Sequence, residues 1–147
     1  MKILKNLTLA ALAAIAITLL FHSPNVQASG KPQRVFAFTK WITTFPQMEG
    51  VADGGAFKGE VLNLTQIAGG QIWEIDARYE IIAGDQSFTA IIHGKQNWQT
   101  GIGVLNGVIT EGWLAGAQVH VQFQAIPSEE HGVVFQGTIT IMPNQRN

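Results

Sequence analysis

Hydrophobic and polar positions follow two rhythms along this chain, and the change comes near Ser29. Before it, Leu7 to Phe21 is an uncharged, mostly apolar run. After it, apolar residues recur at every second position between glycine-rich turns, the period of a strand with one buried face. The pattern predicts one or two strands over 34–45, then strands near 60–68, 71–83, 86–93, 98–111, 117–126 and 132–142. Between the first two groups, Pro46, Gly50, Gly54 and Gly55 break the alternation and predict a long loop from Pro46 to Lys58. Shorter turns are expected at Gly69-Gly70, Gly84-Asp85, Gly94 to Asn97, Gly112 to Gly116 and Pro127 to His131.

Two of these turns are tight enough to fix strand register, so partners can be counted off. Closing on Gly69-Gly70 sets Gln66 opposite Trp73, Leu64 opposite Ile75 and Leu62 opposite Ala77. Closing on Gly84-Asp85 sets Ile81 opposite Phe88, Tyr79 opposite Ala90 and Ala77 opposite Ile92. One face then collects Leu62, Leu64, Trp73, Ile75, Ala77, Ile81 and Ile92, while Asn63, Thr65, Glu74, Asp76, Arg78, Glu80 and His93 fall on the other. A slip of one residue would mix the two sets. Later strands repeat the rule: Ala117, Val119, Val121, Phe123 and Ala125 alternate with polar residues, and Val133, Phe135, Gly137, Ile139 and Ile141 share a face.

Seven or eight strands in one small domain, each apolar on one side, pack as a two-sheet sandwich or close as a barrel. Successive hairpins favour an all-β, antiparallel up-and-down barrel of about eight strands, which also leaves no exposed edge. Gly101, Gly103 and Gly107 would curve its wall as bulges or bends.

The early apolar run has a different meaning. Met1 to Lys5 is a short basic start, and Val26-Gln27-Ala28 is the small-x-small pattern read by a signal peptidase, with cleavage expected before Ser29. A run of about 15 residues falls short of the roughly 20 that span a bilayer, so no stable membrane anchor is expected. The reading is a signal peptide over 1–28 and a single barrel domain over 29–147, secreted or periplasmic. Losing Lys2 and Lys5 takes the formal net charge from −1 to −3, and no basic run remains for nucleic acid. The chain has no cysteine, so an exported domain must be held by its core alone. Only 13% of residues are charged, and the neutral surface this implies suits contact with other subunits, a homo-oligomer among them.

Candidate chemistry is sparse. His93 falls opposite Asp76, a pairing that reads as an acid–base dyad or, on this wetter face, as a cross-strand charge pair. His120 lies among glutamines, and His131 in a Ser128 to His131 turn without the spacing of a metal site. No metal or cofactor motif is found. Inward polar groups say more, because a polar side chain on an apolar face needs a partner or a ligand. Tyr79 and Gln66 are such groups, with Trp73, Phe88, Phe123 and Phe135 on the same face.

Thr100 to Val108, with its glycines at 101, 103 and 107, precedes the alternating Val119 to Phe123 and the closing Phe135 to Ile139. This segment resembles the C-terminal half of dirigent and allene oxide cyclase barrels. The resemblance implies an eight-stranded barrel with an apolar cavity, often trimeric, that steers a reactive apolar substrate without a cofactor. It assigns no catalytic residue to this chain.

The leading expectation is therefore an exported barrel that binds an apolar small molecule, lined by Gln66, Trp73, Tyr79, Phe88, Phe123 and Phe135. A cofactor-free isomerase or cyclase in the same cavity, and a structural or interaction barrel with a filled core, are the alternatives. Cavity volume separates them: an interior with room for only a few waters argues for the filled core.

Overall fold

The computed structural model describes residues 34–142. The signal-peptide expectation lies outside the described residues. Eight antiparallel strands run in chain order: β1 (Arg34–Thr44), β2 (Gln47–Ala52), β3 (Gly55–Ile67), β4 (Ile72–Ile82), β5 (Phe88–Asn97), β6 (Ile102–Gly112), β7 (Gln118–Ser128) and β8 (Gly132–Met142). Each pairs with the next, and β8 returns to β1 to close the barrel. The seam pairs Phe36 with Ile139, Phe38 with Gly137 and Lys40 with Phe135. Closure gives every strand two neighbours, so no strand lies at the edge of an open sheet.

Counted and observed registers agree over β4 and β5, where Ile81 faces Phe88, Tyr79 faces Ala90 and Asp76 faces His93. Between β3 and β4 they agree only as far as a bulge. Gln66 faces Trp73 and Leu64 faces Ile75, but Val61, not Leu62, faces Ala77. The extra residue turns Leu62 out, 46% exposed.

The segment expected as a loop from Pro46 to Lys58 holds β2 and the start of β3, joined by a turn at 53–54. The strand survives its glycines because Gly50 presses on the β1 backbone: a Cβ there would stand 2.0 Å from the Thr39 carbonyl oxygen. Gly94 to Asn97 is likewise not a turn but the end of β5, and the turn follows at 98–101. Gly101 belongs to that turn, while Gly103 and Gly107 lie in β6 without breaking its register. Val133, expected inside, is exposed and Val134 is buried in its place, while Phe135 is buried as expected.

Three tiers of side chains fill the interior. At one end, Phe36 meets Phe88 and Trp113 edge-on at 5.6 and 6.2 Å, closed over by the β6–β7 turn. In the waist, Phe57 stacks on Phe38 at 5.5 Å and meets Tyr79 at 4.8 Å. At the other end, Trp73, Trp98, Phe135 and Phe123 form a chain of edge-to-face contacts at 5.0, 6.1 and 5.6 Å. This second end is the mouth, bordered by the turns at 45–46, 68–71, 98–101 and 129–131.

Candidate functional site

The mouth tier contains what the other two lack, a buried charge-bearing group. On β1 the inward series Phe36, Phe38 continues to Lys40, which is 4% exposed. Strand alternation forces it inside: its neighbours Thr39 and Trp41 point the other way, and the seam holds it against Phe135. Nζ bonds to Tyr79 Oη and lies 3.6 Å from Met48 Sδ. Around it stand the rings of Tyr79 at 4.4 Å, Phe123 at 4.6 Å, Phe135 at 5.4 Å and Phe57 at 5.8 Å.

Among the described residues no carboxylate pairs with Lys40; the ion pairs are Arg78–Glu60, His93–Asp76, Lys95–Glu74 and His131–Glu130. Burial without a counter-charge disfavours the ammonium, and the Lys40 pKa falls from 10.5 to about 7. The aromatic faces favour the cation but do not replace water. Near neutrality this amine is therefore divided between its two forms. The same burial pushes the Tyr79 phenol up, so it stays protonated.

Two more polar groups share the tier. Gln96, 3% exposed, lies at the inward end of the series Phe88, Ala90, Ile92, Gly94 on β5. Its Nε2, and Nε1 of Trp98 in the following turn, are buried without a hydrogen-bond partner. A buried unpaired donor costs about 1–3 kcal/mol, so two in one small barrel form an unusual concentration. Lys40, Gln96 and Trp98 all line one cavity, together with Tyr79, Trp73, Phe123 and Phe135. The cavity holds about 30 Å³, room for roughly two waters. At its outer side are Ile42, Phe45 and Leu64, of which Phe45 is 57% exposed.

Glycine shapes this space. Phe123 pairs with Gly103 on β6 and Gly137 on β8, and its ring spreads where side chains would otherwise stand. A Cβ on Gly103 would meet that ring at 2.2 Å.

Of the residues singled out from sequence, Trp73, Tyr79, Phe123 and Phe135 meet at this cavity. Phe88 does not: it packs against Phe36 at the far end. Gln66 is exposed and does not line the cavity, because the β3–β4 hairpin extends beyond the mouth. The His93–Asp76 pair forms at 2.5 Å on the outer wall, its side chains 67% and 40% exposed, as a surface ion pair would be. His120 bonds to Asn106 on that wall, and the His131 ring stacks on Trp41 at 4.2 Å. Lys40, Gln96 and Trp98 were missed. Parity was the available signal for the first, since Lys40 shares its side of β1 with Phe36 and Phe38.

No family model matches this chain, and neither curated proteins nor solved structures give a match.

Proposed function

We propose that this exported barrel is a binding protein that grips the oxygen-bearing end of an apolar small molecule at its mouth. The observation that carries the reading is the set of nitrogen donors, Lys40 Nζ, Gln96 Nε2 and Trp98 Nε1, on one apolar cavity, two of them unpaired. Donors without acceptors select an acceptor, a carbonyl or carboxyl oxygen. A cavity of about 30 Å³ takes two or three heavy atoms rather than a whole guest, being an order of magnitude smaller than pockets that enclose drug-sized ligands. The apolar remainder lies against Ile42, Phe45 and Leu64. Trp73 and Trp98 report occupancy directly: titration with hexanol or hexanoic acid should change tryptophan emission saturably, and Gln96→Leu should weaken the effect. Absence of any saturable change removes this reading.

The volume itself favours a second reading, a filled structural or interaction barrel. Two waters bridging Gln96 and Trp98 would complete such a core, and Ile91, Ile102, Val104 and Val108 on the outer wall of β5 and β6 would be its contact surface, a homo-oligomer being the simplest assembly. Light scattering that shows a stable oligomer, with no response to either probe, would establish it.

A further inference from the structure

We infer that Lys40 is a covalent anchor: its amine condenses with the aldehyde group of an apolar guest and holds it as an imine. This rests on the binding reading above and names the ligand class within it. A carboxylate would meet the same donors, but the geometry favours an uncharged head. The walls around Nζ are four aromatic rings and a thioether, and the neighbouring hydroxyl is a phenol held protonated by burial. An anion would have to be desolvated into this tier with only one partly protonated amine to compensate it. An aldehyde brings no charge, and its carbonyl carbon is an electrophile.

A lysine amine is activated as a nucleophile by desolvation in an apolar pocket, which is the setting of Lys40. The step balances without an oxidant or reductant. The Nζ lone pair forms a bond to the carbonyl carbon; the C–O bond then breaks, and the oxygen leaves with the two amine hydrogens as one water. The product is a neutral imine at the same position. Gln96 Nε2 and Trp98 Nε1 supply hydrogen bonds to the oxygen while it carries developing negative charge. Water is restricted to a space of about two molecules, which opposes the reverse hydrolysis. Replacing a buried amine that is partly charged by an uncharged imine also removes the desolvation penalty of the ammonium.

The test is reductive trapping. The protein is incubated with limiting hexanal and sodium cyanoborohydride near neutral pH and digested, and the modified lysines are located by mass spectrometry. The exposed Lys58 and Lys95 serve as internal references. Expected is label on Lys40 ahead of both, with complete loss at that position in Lys40→Met and slower labelling of Lys40 in Gln96→Leu. Hexanol is titrated in parallel by tryptophan emission. Hexanol binding together with label only on Lys58 and Lys95 overturns the imine and leaves the binding reading standing. No emission response and no label on Lys40 removes both. Should Lys40→Met not fold, the ratio of labels within the parent protein decides alone.

Discussion

The two ends of this barrel are built from the same wall and packed by opposite rules. At the closed end, Phe36, Ile81, Phe88 and Ile109 are at most 2% exposed and carry no polar side-chain atom. At the mouth, comparable aromatic mass surrounds an amine, an amide and an indole nitrogen, two of them unpaired. A core needs only the first arrangement, since apolar side chains that interdigitate contribute the stability without leaving polar groups to satisfy. The second lowers stability, so the closed end holds the fold while the mouth carries polar groups that the fold does not need.

The largest contrast is in truncation. Phe36→Ala at the closed end should cost about 3–5 kcal/mol, the usual range for a fully buried phenylalanine whose neighbours cannot collapse. Phe45→Ala at the mouth, where the ring is 57% exposed, should cost less than about 1 kcal/mol. Urea denaturation of the two variants measures both. Equal losses would erase the distinction between the ends.

Lys40 gives the next effect, and its sign depends on pH. The folded pKa of about 7 lies below the ordinary 10.5, so between these values the unfolded chain binds more protons than the folded one. Parent stability therefore rises as pH climbs from about 7 to 10.5 through this group, and the full penalty of the buried ammonium is felt below about 7. Lys40→Met removes that term and loses the bond to Tyr79. The variant should be more stable by about 3 kcal/mol near pH 6, with the advantage shrinking by up to about 1.4 kcal/mol per unit above pH 7. By about pH 10.5 the order should reverse. Denaturation midpoints of both proteins across this range check it, and a gap independent of pH would show that Lys40 does not change charge on folding.

Legibility was uneven along the barrel. Phe57 of the waist falls in the segment expected as a loop, and Phe88 of the closed end was grouped with the mouth residues, but the counted register placed Tyr79, Ile81 and Phe88 against their true partners. It failed where two neighbours were equally apolar: Val61 and Leu62 give the pattern no means of choosing which turns inward at the bulge. The mouth was harder for a different reason. Lys40 and Gln96 occupy inward positions with side chains whose chemistry points to solvent, so a reading that sorts residues by polarity assigns them to the surface or to a turn. Gly94 to Asn97 looked like a turn for that reason, and Gln96 disappeared into it. Pro46 to Lys58 was read as a loop because its glycines signal turns, whereas Gly50 and Gly55 serve close approach to neighbouring backbone.

Gly103→Ala should have an intermediate effect. Its new methyl group overlaps the Phe123 ring, which must move, at a cost of about 2 kcal/mol. Phe123→Leu should recover part of that loss in a double-mutant cycle, and additive losses would mean that the ring is not what the glycine accommodates.

The smallest effect is the most pointed. Gln96→Leu replaces a buried amide whose Nε2 has no partner by an apolar side chain of similar size. Elsewhere in a core the loss of a paired amide lowers stability, because its partner is left unsatisfied; here no partner is lost on the nitrogen side. The variant should gain about 1 kcal/mol, measured as a higher denaturation midpoint with unchanged slope. On the binding reading proposed above, the same change should weaken the response to hexanol, because the unpaired donor is the group proposed to meet the guest. A gain in stability together with a loss of binding is the signature of a group retained for a ligand. If Gln96→Leu lowers stability instead, Nε2 has a partner within the folded protein, and the mouth becomes a core like the closed end.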